Sequence, residues 1–257
     1  MGGPPTSPSV ADLERLAARG WRGTEQDELG DWLLRSGHGF TGRANSVLVV
    51  GVPGRSLPTA VDAVARWYDA RGLTPRAMLP GEQAQAADSA FTAAGWERGA
   101  DVLFLTAPVD AQPTTTTAEA PVDLRPAPDP AWLAGYHRDG ALPHGALDVL
   151  TNATDLAFAT DLAFASVRLP GGGSAPVAVA RGVLVDGWLG VSAVAVAAGH
   201  RRRGLATALM AALTGWSAQR GAQSVYLQVT ADNTAARALY RRSGFVEHHR
   251  YHYRTRP

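Results

Sequence analysis

The sequence predicts an α/β (α+β) fold made twice: two domains in tandem, each a mixed central sheet flanked by helices. Three observations predict it. Residues 188–257 read as strand, loop, helix, strand, helix, strand. Residues 43–106 read in the same order. Landmark residues of the two stretches also stand a fixed 149 positions apart: Gly72 with Gly221, Gly95 with Gly244, Trp67 with Trp216, Arg71 with Arg220, Ala87 with Ala236 and Val47 with Val196.

Composition bounds what such a chain does. Its 257 residues suffice for one large or two small domains, and 46% are apolar, too many for a disordered chain. The 24 basic and 23 acidic residues nearly cancel, which argues against wholesale nucleic-acid binding. With no cysteine there is no disulfide, thiolate metal site or cysteine nucleophile. The start, MGGPPTSPSV, has neither the charged nor the apolar region of a signal peptide. Arg181 and Asp186 interrupt the most apolar stretch, so no membrane span is expected and the location is expected to be cytoplasmic.

In chain order, Val10, Leu13, Leu16 and Ala17 share a helical stripe that Gly20 ends. Strands are expected over 32–35 and 43–50, then a turn-rich loop at 53–58. A helix carries Val61, Val64, Ala65 and Tyr68, followed by a strand over 75–79, a helix over 84–94 and a strand over 102–106. This first domain is drawn as 1–107. A linker rich in proline and threonine, 108–121, separates it from a second domain, 122–257. There a short strand begins at Val122, a helix follows over 132–138, and 142–156 looks irregular. Strands over 158–168 and 177–185 flank a Pro170-Gly171-Gly172-Gly173 turn, and 188–196 leads into the basic loop.

That loop, Arg201-Arg202-Arg203-Gly204-Leu205-Ala206, opens a helix with Leu205, Leu209, Leu213 and Trp216 on one stripe. Strand, tight loop and helix N-terminus in that order suit a pyrophosphate: unpaired N–H groups point outward and the helix dipole favours negative charge. Gly204 lets the backbone come close to a phosphate. A strand then alternates Val225, Leu227 and Val229 with Tyr226, Gln228 and Thr230. Asp232 is the expected N-cap of the next helix, which Gly244 closes.

These residues resemble the GNAT superfamily of acyl-CoA N-acyltransferases. Its loop pattern, Arg/Gln-x-x-Gly-x-Gly/Ala, is met by Arg201, Gly204 and Ala206; its later pattern is met by Asn233, Ala236, Tyr240, Gly244 and Phe245. The resemblance implies that Arg201, Arg202, Arg203, Gly204, Leu205, Ala206 and Thr207 hold the pyrophosphate of acetyl-CoA. It implies that Val194, Ala195 and Val196 meet the pantetheine arm, and that Asn233 and Ala236 complete the cofactor site. Tyr240 is the implied general acid, because a phenol keeps its proton at neutral pH and can give it to a thiolate. For the base, Glu247, His248, Asp186, His200 and a water chain stay open. His248 and His252 share one side of the last strand by alternation. Three histidines near one another lack a fourth ligand at usual spacing, so no metal is expected.

The first copy keeps packing residues and loses polar ones: Arg55 stands for Gly204, Pro53 for Arg202, Ala84 for Asn233 and Phe91 for Tyr240. It reads as a degenerate half. The expected activity is transfer of an acetyl group from acetyl-CoA to the primary amine of a small molecule or peptide, with no nucleic acid or membrane partner. A non-catalytic acyl-CoA-binding module is the alternative, and an arginine patch for nucleic acid a second.

Overall fold

Ser9 starts the first helix, α1 (Val10–Gly20), with a reciprocal cap: the Asp12 N–H donates to Ser9 Oγ (3.1 Å) and the Ser9 N–H to Asp12 Oδ2 (3.2 Å). The computed structural model describes residues 8–112, 121–138, 140–152, 161–169 and 175–257. After α1 come β1 (Glu25–Leu29), β2 (Trp32–Ser36), β3 (Val47–Leu48), α2 (Leu57–Asp69), β4 (Arg76–Pro80), α3 (Gln85–Ala93), β5 (Glu97–Arg98) and β6 (Val102–Pro108). The second half has β7 (Val122–Arg125), α4 (Pro130–Tyr136), α5 (Ala146–Thr151), β8 (Asp161–Val167), β9 (Ala178–Val185) and β10 (Trp188–Val196). It closes with α6 (Leu205–Ala218), β11 (Ser224–Thr230), α7 (Thr234–Arg242) and β12 (Val246–Thr255). The middle of the linker, the Pro170–Gly173 turn, and residues 153–156 of the stretch read as irregular lie outside the described residues.

The strands make one sheet, in the order β1-β2-β3-β4-β12-β6-β11-β10-β9-β8-β7, with β5 beside β12. The halves exchange their last strands. β6 lies between β11 and β12, while β12 runs on beside β4. Among the described residues only β3–β4 and β10–β11 pair in parallel. In its exchanged place β6 keeps its alternation: Leu103 and Leu105 enter the same core as Val225, Leu227, Leu205, Leu209 and Leu213, while Phe104 faces the other way. α6 covers one face of β8, β9 and β10. α1 covers the opposite face and touches both β9 and β4, so it spans the seam between the halves.

Several expectations are corrected. The strand expected over 43–50 is confined to Val47–Leu48. Asn45 holds the preceding loop instead: its Oδ1 accepts from the Gly37 and Gly39 N–H groups (2.8 and 2.9 Å), and its Nδ2 donates to the Phe40 and Thr41 carbonyls (2.8 and 2.9 Å). A short helix, α5, occupies part of the stretch read as irregular. Val47 is not the counterpart of Val196. Val47 pairs with Ala77 as Gly190 pairs with Tyr226, so the path from strand to helix is shorter in the first half (47 to 57 against 190 to 205). The fixed spacing therefore holds for the helices and fails at that strand.

Candidate active site

β10 and β11 pair only from Trp188–Val191 against Ser224–Leu227. Beyond Val191, β10 stays on β9 while β11 stays on β6, and a gap opens between them. A bulge between Ser192 and Ala195, with Ala193 at φ 54°, turns β10 aside. Val194 and Val196 lean on the α6-side core; Ala193 and Ala195 lean on the cluster around Trp132. All four are half-buried at the edge of the gap.

The basic loop follows at the end of that edge. Arg201, Arg202, Arg203 and Gly204 are exposed, Leu205 is buried, and Ala206 and Thr207 are half-buried. Gly204 is the N-cap of α6 at φ 73°, with no side chain capping the helix. The Ala208 N–H is the first to reach a helical carbonyl, that of Gly204 (2.9 Å), which leaves the N–H groups of Leu205, Ala206 and Thr207 as the helix's unpaired donors. A Cβ on Gly204 would meet nothing within 4 Å, so the approach to these donors is open. An anionic diphosphate fits this set.

The first half has closed the same place. The Val52 N–H donates to Asp31 Oδ2 (2.8 Å), and the Val52 carbonyl accepts from the Asp31 N–H (2.7 Å). Gly30 packs so tightly there that a Cβ would come within 2.4 Å of the Pro53 carbonyl carbon. The loop before α2 is thus tied down by the chain's own carboxylate, and Pro58 at the second position of α2 has no N–H to offer.

Tyr240 lies on the α6 side of the gap, in the core with Leu205, its ring edge-on to Phe245 at 5.7 Å. Burial pushes its phenol up to about 12, so it holds its proton across the physiological range. Asn233, not Asp232, caps α7: the Ala236 N–H donates to Asn233 Oδ1 (3.1 Å). The Asn233 amide nitrogen remains exposed at the mouth.

On the α1 side, a slot enters the sheet between the parted strands. Gly190, Val191 and Ser192 of β10 line it, with Tyr226 and Gln228 of β11, Glu14 of α1, and Arg35, Arg43 and Arg181. Gly20 and Gly190 make room for the Tyr226 hydroxyl: a Cβ would come within 2.5 Å of it at Gly20 and 2.4 Å at Gly190. Gly190→Ala is therefore expected to lower stability by about 1–3 kcal/mol, read as a shifted urea midpoint at unchanged m. Wild-type stability would refute the packing argument.

Glu14 is 1% exposed, and its Oε1 lies 2.8 Å from His249 Nε2. The Glu14 Oε2 has no hydrogen-bond partner among the described residues, beside the slot. His248 Nε2 donates to the Pro8 carbonyl (3.1 Å), so its Nδ1 accepts from His249 Nδ1 (2.9 Å). His249 stacks on Phe104 (4.6 Å), which stacks on Tyr226 (5.3 Å). It also lines a groove of about 770 Å³ on its far side, with Glu82, Arg98 and Arg250.

A family model described as "Probable histone acetyltransferase Rv0428c C-terminal" matches residues 7–254. The chain belongs to this family, within the GNAT superfamily. It is therefore an N-acetyltransferase. It is 32% identical to the "Probable histone acetyltransferase Rv0428c" of Mycobacterium tuberculosis over 97% of this chain and 75% of that protein. It is 26% identical to the "Uncharacterized N-acetyltransferase YobR" of Bacillus subtilis over 96% and 98%. Among solved structures it resembles a GCN5-related N-acetyltransferase from Kribbella flavida (TM-score 0.72, 18% identity, 96% and 95% coverage). It also resembles a tandem GNAT protein from the clavulanic acid biosynthesis pathway (0.64, 14%, 98% and 90%). At those identities the two structures speak for the tandem GNAT fold alone.

In this GNAT chain the edge at Val194, Ala195 and Val196 and the basic loop lie along one gap, while three of the candidate bases, Asp186, Glu247 and His248, lie away from it. Asp186 is ion-paired to Arg19 in the turn before β10, at the opposite end of that strand from the loop. Glu247 is bound by Arg250 (2.6 Å), whose hydrogen bond holds the carboxyl below its usual range despite partial burial. His249 and Tyr251 share the α1 side of β12 and His252 reaches Asp88 of α3 on the other (2.8 Å), so beyond the bulge between Glu247 and His249 the alternation is regular and His248 is kept out of the slot. His200, in a 3₁₀ turn before the loop, has a buried Nδ1 without a partner among the described residues. Sequence reasoning missed Glu14, Arg35, Arg43, Ser192, Tyr226 and Gln228 as site residues. The legible hint was Arg181, a charge in the middle of an otherwise apolar strand. Among the described residues no cluster of metal-ligating side chains forms, and no helix is long and apolar enough to cross a membrane.

Proposed function

We propose that this enzyme transfers an acetyl group from acetyl-CoA to a primary amine by direct attack, and that it does so in the cytoplasm. The observation that carries this is the gap between β10 and β11, which has unpaired N–H donors at its end, a protonated phenol on one face and a buried carboxylate on the other. The N–H groups of 205–207, with Arg201 to Gly204, would hold the diphosphate; the edge at Val194, Ala195 and Val196 would hold the arm, with Asn233 and Ala236 across the mouth. Acetyl-CoA supplies the activated acyl group as a thioester.

The amine must lose a proton and the thiolate must gain one. Glu14 Oε2 is placed to take the first. From Glu14 that proton has a hydrogen-bonded path through His249 to the half-buried His248 and on to solvent, which returns Glu14 to its carboxylate. Tyr240 is placed to supply the second. The new C–N bond forms as the C–S bond breaks, and one proton has crossed from amine to thiol in net. The proposal includes a division of labour: 122–257 carries the chemistry, and 1–107 serves as a degenerate half that lends Glu14.

A thiol-release assay with acetyl-CoA over small amines, amino acids and lysine peptides tests this. Lysine peptides belong in the panel because the mycobacterial relative's description names histone. Tyr240→Phe should cut kcat about 100-fold with coenzyme affinity intact. Wild-type turnover in that variant would remove Tyr240 from the mechanism. Because its phenol is pushed up to about 12, no basic limb of the pH–rate profile below that pH should belong to it.

A further inference from the structure

We infer that the slot takes an amine whose other end is a carboxylate, so that the acceptor is a free amino acid rather than a simple amine or an internal lysine side chain. This rests on the transfer reading above.

The argument is a charge imbalance. Arg181 is fully buried in the middle of β9. Its Nε donates to the Leu150 carbonyl (2.7 Å) and its Nη1 to the Gly20 carbonyl (3.0 Å), while its buried Nη2 has no partner among the described residues. Burial pushes this guanidinium down to about 9. Arg35, also buried, donates to the Ser46 carbonyl and hydroxyl (both 3.1 Å). Arg43 lies over the Trp21 ring at 4.4 Å and donates weakly to Gln228 Oε1 (3.4 Å); Arg181 lies over the same ring at 5.0 Å.

None of the three meets a carboxylate among the described residues. Among the described residues Glu14 is the one acidic side chain lining the slot, and it already faces His249. A buried, unpaired guanidinium is costly, and carbonyl oxygens and a ring offset only part of that cost. An incoming carboxylate supplies the missing charge and accepts from the spare Nη2, with the buried, equally unpartnered Ser192 hydroxyl beside it. The opposite pole is Glu14, which suits an ammonium. Free space of about 20 Å³ admits a small head group and not a ring.

The test pairs molecules that differ only at the acid: glycine, β-alanine and 6-aminohexanoate against their carboxamides. Thiol release is followed with acetyl-CoA, and binding of the N-acetylated forms by calorimetry in the presence of CoA. One acid should exceed its carboxamide on the order of 100-fold in both kcat/KM and affinity. Arg43→Gln, half-buried and so safe to fold, should cut that preference about tenfold, and Arg181→Lys should change which chain length is preferred. Equal binding of acid and amide, or a preference for the amide or for a lysine peptide, overturns the inference. Binding of the acid without thiol release from any amine leaves it standing and overturns the transfer reading instead.

Discussion

Gly204→Arg is expected to abolish coenzyme binding while leaving the fold intact. Two effects act together. The residue sits at φ 73°, where a side chain costs about 1–2 kcal/mol. That strain is affordable, because a Cβ there meets nothing within 4 Å. The added side chain instead projects into the open approach to the N–H groups of 205–207, where the diphosphate must come. Calorimetry with CoA should show affinity falling beyond detection, at least about 100-fold, with a circular dichroism spectrum like wild type. Undiminished affinity would mean that the diphosphate is held elsewhere. Gly204→Ala separates the effects: it carries the strain with little obstruction, and should bind more weakly than wild type but measurably.

Glu14→Gln should lower kcat about 10³-fold with coenzyme affinity unchanged. The substitution keeps shape and one acceptor oxygen, and it removes the ability to take a proton. The His249 partner argues for specificity: His249→Asn should cause a smaller loss, because the relay to solvent is cut but Glu14 itself remains. The limb of the pH–rate profile that reports the base should be missing in Glu14→Gln and shifted in His249→Asn. A variant Glu14→Gln with its profile unaltered would assign proton removal to another group, His200 being next nearest to the loop. Loss of folding is controlled by Glu14→Asp, which keeps the charge and should recover part of the rate.

The second expectation joins residues far apart in the chain, and that marks where sequence reading stopped. The halves were visible as a repeated order of elements and a repeated spacing, because helices and their glycine stops are local. Gly221 and Gly244, both at positive φ, end their helices as the pattern required. The exchange of β6 and β12 left no local trace, since an apolar alternating strand fits either neighbour equally well. Nor did the parting of β10 from β11, which depends on a bulge at an ordinary alanine, Ala193.

By itself, the sequence determined the stretch on which we place the coenzyme: a short run with a glycine at positive φ, a helix start and a tyrosine on the following helix, all contiguous. Only the tertiary structure decided the acceptor end. Glu14 and His249 are 235 positions apart and meet because α1 spans the seam over an exchanged strand. A diphosphate is gripped by main-chain donors of one turn, which local sequence specifies; a proton relay and a charged slot are assembled from side chains of several elements, which only packing brings within reach.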